Sequence, residues 1–123
     1  MSENISDLSS KEQNLANVYR LVKETFVEAV SEKPEIESAY MEVSKHNHLI
    51  YLTAVIPELM PAGCGEKEYF KMCSPAEEAF AEVRKQYEGI TIYGHVTSSN
   101  ILSGFGRTIA DMTKGKELVY QKE

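Results

Sequence analysis

Three histidines, two cysteines and one glycine-flanked Phe-Arg run hold the chemistry-bearing side chains of this 123-residue chain. His46 and His48 stand two apart. On extended backbone such residues project to the same side, so both rings could reach one ion. Imidazole suits zinc, copper, nickel or iron, and a site needs three or four ligands. His95, on another predicted strand, is the candidate third ligand. The competing reading is two exposed histidines in a polar hairpin turn. Cys64 and Cys73 have eight residues between them, which matches no standard zinc or redox spacing. Cysteine is also among the most often buried residues. Cys64, between two glycines, is the candidate for a reactive thiol.

Ser103-Gly104-Phe105-Gly106-Arg107 is the second candidate site. Glycines let backbone N–H groups approach a phosphate, and a following helix attracts anions. The run lacks the third glycine and the downstream acid of a dinucleotide fingerprint. An exposed Phe105 beside Arg107 equally suits a protein partner, since both residue types are enriched at interface hot spots. No carboxylate pair is set for acid–base work. Glu77 and Glu78 are adjacent and diverge on a helix. Glu42 has no second carboxylate near it in sequence. No nucleophile triad can be assembled.

Composition narrows the classes further. Nineteen acids against thirteen bases give a net charge of −6, and the bases are spread along the chain, with Arg84-Lys85 the one adjacent pair. A phosphate-neutralising patch is absent, so nucleic acid is not an expected partner. The longest strongly apolar run, Leu49–Ile56, is too short to span a bilayer, which takes about 20 residues as a helix. The polar, acidic start is unlike a signal peptide, and a cytoplasmic location is expected. The length suits one domain that needs neither disulfide nor metal to fold.

The elements that must position these residues follow from periodicity. Residues 1–8 read as a flexible arm, and 9–123 as a single domain. Ser9-x-x-Glu12 reads as a capping box. Leu15, Val18, Val22, Phe26, Ala29 and Val30 then make one helical stripe. Pro34 ends it. Ala39, Met41 and Val43 alternate with polar neighbours, as in a half-buried strand. Residues 45–48 form a hairpin break, and Leu49–Ile56 reads as a central strand buried on both faces. A loop follows Pro57, then a short helical piece over 66–72. Ser74-Pro75, with Glu77, reads as the start of a second main helix carrying Ala76, Ala79, Phe80, Val83 and Tyr87. Gly89 is its left-handed stop. Ile90, Ile92 and Val96 share one face of the next strand, with Thr91, Tyr93 and His95 on the other. Gly94 breaks the buried row, which implies a bulge or a closely packed helix. Residues 97–106 read as loop, 107–113 as one or two helical turns, and 118–120 as a last edge strand.

The order α-β-β-α-β-α-β predicts an α/β (α+β) two-layer sandwich. Three or four strands form a small mixed sheet, and two main helices bury against one face of it. The helix, the Pro34–Met41 entry, the hairpin and the apolar strand, with the closing run Ile109–Tyr120, resemble small nucleotidyltransferase-fold proteins. That family carries a Gly-Ser turn and paired metal-holding aspartates. This chain has Val43-Ser44-Lys45 and His46-Asn47-His48 in their places, so the resemblance implies a degenerate relative that transfers nothing. Residues 35–97, ending in Gly94-His95-Val96, also resemble the ferredoxin-like cytoplasmic domain of cation-efflux transporters, which implies a metal role for His95.

Two functions are expected from these features. The first is a non-catalytic binding or regulatory module that contacts a protein partner or a second copy of itself as a homodimer, with no cofactor and no membrane. The alternative is a metal sensor, or a small metal-dependent enzyme, holding zinc or another transition metal through histidine and cysteine.

Overall fold

A computed structural model describes residues 7–44, 49–57 and 65–123, with side chains from residue 17 onward. The elements run α1 (Asp7–Ser31), β1 (Ser38–Ser44), β2 (Leu49–Ile56), α2 (Glu66–Gln86), β3 (Thr91–Ser98), α3 (Ser99–Gly104), α4 (Ile109–Met112) and β4 (Glu117–Gln121). The sheet order is β3-β2-β1-β4. β1 is antiparallel to β2 and to β4, and β2 is parallel to β3. The expected mixed sheet with two main helices is therefore what the chain forms.

Alternation sorts the strands into two faces. Ala39, Met41, Ile50, Leu52 and Ala54 are fully buried on the helix face. They meet Val22, Phe26 and Val30 of α1 and Ala76, Phe80 and Val83 of α2, all equally buried. Phe26 and Phe80 join the two helices, with ring centroids 5.9 Å apart. Each of the larger side chains among these (Val, Leu, Ile, Met or Phe) contributes about 1.5–3 kcal/mol by leaving water. β2 is buried along most of both faces, as its unbroken apolar run predicts.

Gly94 resolves as the close-packing case. A Cβ built on it would overlap the Phe80 ring. The missing side chain lets α2 settle onto β3 at this point. At the other edge of the sheet, Glu117 of β4 accepts from Tyr19 Oη at 3.0 Å and Lys23 Nζ at 2.6 Å. The Lys23 bond leads in holding the Glu117 carboxyl below its usual range. Burial, then Glu117, pushes the Tyr19 phenol upward.

Several boundaries differ from expectation. α1 already runs from Asp7, so Ser9 lies in its first turn rather than capping it, and residues 7 and 8 belong to the helix. Ser74 and Pro75 do not start a helix: α2 is continuous from Glu66, with Gly65 as its N-cap and Pro75 inside. Glu77 is therefore not a capping residue. Tertiary burial outweighs the local signal here. Cys73 is buried, Tyr69 and Met72 pack against the core before the proline, and Ala76 and Ala79 do so after it. Ser74 Oγ also donates back to the Phe70 carbonyl at 3.2 Å. Residues 97–106 are not all loop. β3 extends to Ser98, and α3 follows at once. Gly89 and Gly115 hold φ of 91° and 83°, the left-handed values expected where the chain must turn.

Gly94→Ala is expected to lower stability by about 1–3 kcal/mol through overpacking against Phe80. Urea unfolding checks this. The double variant with Phe80→Leu should recover part of the loss, because the two changes share one contact.

Candidate functional site

The chain leaves β3 at one edge of the sheet and must reach β4 at the other. It crosses the face that the main helices leave free. Thr53, Val55 and Thr97 are buried on that face, and the crossing residues Ile101 and Leu102 are half-buried and buried. Three devices fix the later part of this crossing. Thr108 and Asp111 form a reciprocal capping box at α4. Thr113 Oγ1 donates to the Ile109 carbonyl at 2.8 Å. The Lys116 N–H then returns to the Thr113 carbonyl at 2.9 Å, around Gly115.

That turn delivers Lys116 onto the sheet. Its ammonium donates to Glu42 Oε1 at 3.1 Å and stands 5.8 Å from the centre of the Tyr51 ring. The strand register sets Glu42 opposite Tyr51, and Tyr51 beside Tyr93. The two tyrosine rings stack with centroids 5.7 Å apart and planes 22° apart. Tyr93 is 52 % exposed, whereas the Lys116 side chain is only 18 % exposed. One step along the sheet, His95 stands beside Thr53. His95 is exposed overall, yet desolvation by the surrounding chain, then the nearby Lys116 charge, pushes its imidazole below its ordinary value.

The result is a row Glu42–Tyr51–Tyr93 with Lys116 above it and His95 alongside. A cation over an aromatic face is attracted by the ring quadrupole. Here the cation is also neutralised by a carboxylate. The surface offers a flat ring, hydroxyls and a neutral imidazole that can both donate and accept. It offers little net charge.

The expected sites fare differently. His46, His48 and Cys64 lie outside the described residues. His95 is beside Thr53, four residues along from Leu49, where β2 begins. That is a separation of about 13 Å. Among the described residues, no three His, Cys, Asp or Glu side chains gather to hold a metal ion. Cys73 is buried, and its thiol is pushed upward mainly by desolvation, which disfavours the nucleophilic thiolate.

The run 103–107 is the C-terminal stop of α3. Gly106 has φ of 70°. Its N–H bonds the Ser103 carbonyl at 2.9 Å, and the Arg107 N–H bonds the Leu102 carbonyl at 2.8 Å. This is a Schellman closure. The Phe105 N–H also returns to Leu102, and the Thr108 N–H goes to Asp111. These donors point back into the chain, so the glycines serve helix termination and do not cradle a phosphate. Phe105 itself is 78 % exposed, with Arg107 exposed beside it.

A groove of about 470 Å³ lies between the outer sides of α1 and α2. Glu28, Glu32, Glu78 and Glu82 line it, and Lys33 pairs with Glu78 at 2.5 Å. No helix of the described residues is long and apolar enough to cross a membrane. Comparison with known protein families, with curated proteins and with solved structures returns no match.

Of the residues that build the open face, Tyr93 and His95 were visible as the polar side of a strand. Tyr51 was hidden inside an apolar run. Lys116 reaches Glu42 across a separation of 74 residues, and no local signal reports such a contact.

His95 is expected to titrate below the usual histidine value, and Lys116→Met should move its pKa upward. Proton NMR of the imidazole checks both. A group with a depressed folded pKa loses stability as the pH falls from its unfolded value through its folded one. The wild type should therefore lose more stability than Lys116→Met as pH falls through the histidine range.

Proposed function

We propose that the chain is a small cytoplasmic binding module, with no catalytic step of its own, that docks another protein on the uncovered end of its sheet. The Tyr51–Tyr93 stack carries this reading. Tyr93 presents a large, stiff, amphipathic ring to solvent, and Tyr51 and the sheet hold it in place. Tyrosine gives interfaces contact area at low entropic cost.

The charge state favours a protein over a nucleic acid. Lys116 already faces Glu42, so it is not free to neutralise a phosphate. The net charge of −6 also repels polyanions. The likeness in element order to nucleotidyltransferase-fold proteins belongs to this proposal. A relative without the metal-holding carboxylates would keep the scaffold and act through its surface. Phe105 and Arg107 form a second exposed patch, which the same partner could reach.

Quantitative pull-down from the native source, with wild type, Tyr51→Ser and a Phe105→Ala/Arg107→Ala double variant, tests this. The expected result is a specific partner whose recovery falls about tenfold with Tyr51→Ser, equivalent to about 1.4 kcal/mol. Equal recovery by Tyr51→Ser and wild type would contradict the assignment of the face. Loss with the double variant alone would move the site to the α3 end.

A further inference from the structure

We propose that a second copy of this chain pairs with the outer edge of β3, antiparallel and centred on Gly94, so that two four-stranded sheets become one sheet of eight strands. The two edges of the sheet are built differently. β4 is five residues long, bulged in its register against β1, and followed by Lys122, which bonds the Pro34 carbonyl. Shortness, a bulge and a lysine are the usual means of blunting an edge. β3 is eight residues long, runs in unbroken register along β2, and contains no Asp, Glu, Lys, Arg or Pro. An edge of that kind presents a row of backbone donors and acceptors that another strand can complete.

The residue order selects the second copy as the occupant. Thr91-Ile92-Tyr93-Gly94-His95-Val96-Thr97 has nearly the same pattern from either end. About a two-fold axis at Gly94, each glycine meets its own copy. Tyr93 then meets His95 of the second copy, Ile92 meets Val96, and Thr91 meets Thr97. Ring opposes ring, branched chain opposes branched chain, and hydroxyl opposes hydroxyl. These are favourable cross-strand pairs. An isologous interface requires this kind of self-complementarity.

The backbone phase agrees. Arg84 Nε donates to the Ile92 carbonyl at 3.0 Å, so that carbonyl points off the edge. Strand residues alternate, so Gly94 and Val96 turn their N–H and C=O groups the same way. The proposed register places these same positions in hydrogen-bonded pairs, Ile92 with Val96 and Gly94 with Gly94. The Ile92 oxygen keeps a second lone pair for the incoming N–H beside Arg84. Each chain carries −6, yet β3 itself holds no charged residue, and the guanidinium at this edge, Arg84, sits on the Ile92 carbonyl two residues from the axis. The pairing goes beyond the docking role of the open face and does not depend on it. It would place two Tyr51–Tyr93 stacks side by side across the axis.

Light scattering on the full chain tests the pairing. The expected mass is twice 13.8 kDa, falling toward one chain on dilution. Tyr93→Glu/His95→Glu puts carboxylates opposite carboxylates, and Tyr93→Lys/His95→Lys does the same with ammonium groups. Both positions are exposed, so the fold should survive, and circular dichroism checks that. Each variant alone should dimerise at least about tenfold more weakly than wild type, and an equimolar mixture should recover the dimer. Amide exchange at Gly94 and Val96 should slow at dimer concentrations, a readout that needs no variant. Three results would overturn the proposal: a single-chain mass at about 1 mM, a dimer that neither variant weakens, or a mixture that stays monomeric. Tyr51→Ser leaves β3 unaltered, so loss of the docking partner and loss of the dimer are separable.

Discussion

The contact between Gly94 and Phe80 sets the rest of the architecture. Because residue 94 has no side chain, the Phe80 ring can lie against the backbone of β3. α2 is thereby seated over β3, with α1 beside it through the Phe26–Phe80 contact. Both main helices then occupy one face of the sheet. The odd-numbered side chains of β3, Tyr93 and His95, are left on the other. A residue with a Cβ at position 94 would push α2 away or shift the strand. Either change would disturb the registers that align Glu42, Tyr51 and Tyr93.

A second constraint follows from the strand order. With β3 and β4 at opposite edges, the intervening chain has to cross a face, and the helices already fill one. The crossing covers Thr53, Val55 and Thr97 and, among the described residues, leaves the Tyr93 end open. It also brings Lys116 to Glu42, and the paired charges make that open end a nearly neutral aromatic surface. The partly exposed ion pair contributes little stability by itself. Its effect is local: it holds a cation over Tyr51, and the Lys116 charge adds to desolvation in lowering the affinity of the neighbouring His95 for a proton.

Much of the fold was legible in the sequence because it follows from periodicity. The stripes of α1 and α2, the alternation of β1 and the buried run of β2 all rest on neighbours within a few residues, whereas Gly94 was legible only as either a bulge or a close helix contact, since its partner Phe80 lies on another element. The misplaced start of α2 has the opposite origin. Ser74-Pro75 is a strong local signal, and burial on both sides of the proline overrides it. The candidate site was only half legible. Tyr93 and His95 stand out as the polar face of one strand. Lys116 and Tyr51 become part of a site only once the strand order is known, and no local pattern encodes that order. Phe105 and Gly106 were visible, but the glycine that suggested a phosphate loop is the residue that ends α3.

The arrangement of Lys116 over Tyr51 tests the account most directly, since it exists only if the strand order, the crossing and the face assignment all hold. Proton NMR of the Lys116 side chain reads it through the ring current of Tyr51. Upfield-shifted Hε resonances are expected, with cross-relaxation to the Tyr51 ring, that return to ordinary lysine values in Tyr51→Leu. Ordinary lysine values in the wild type, without that cross-relaxation, would contradict it.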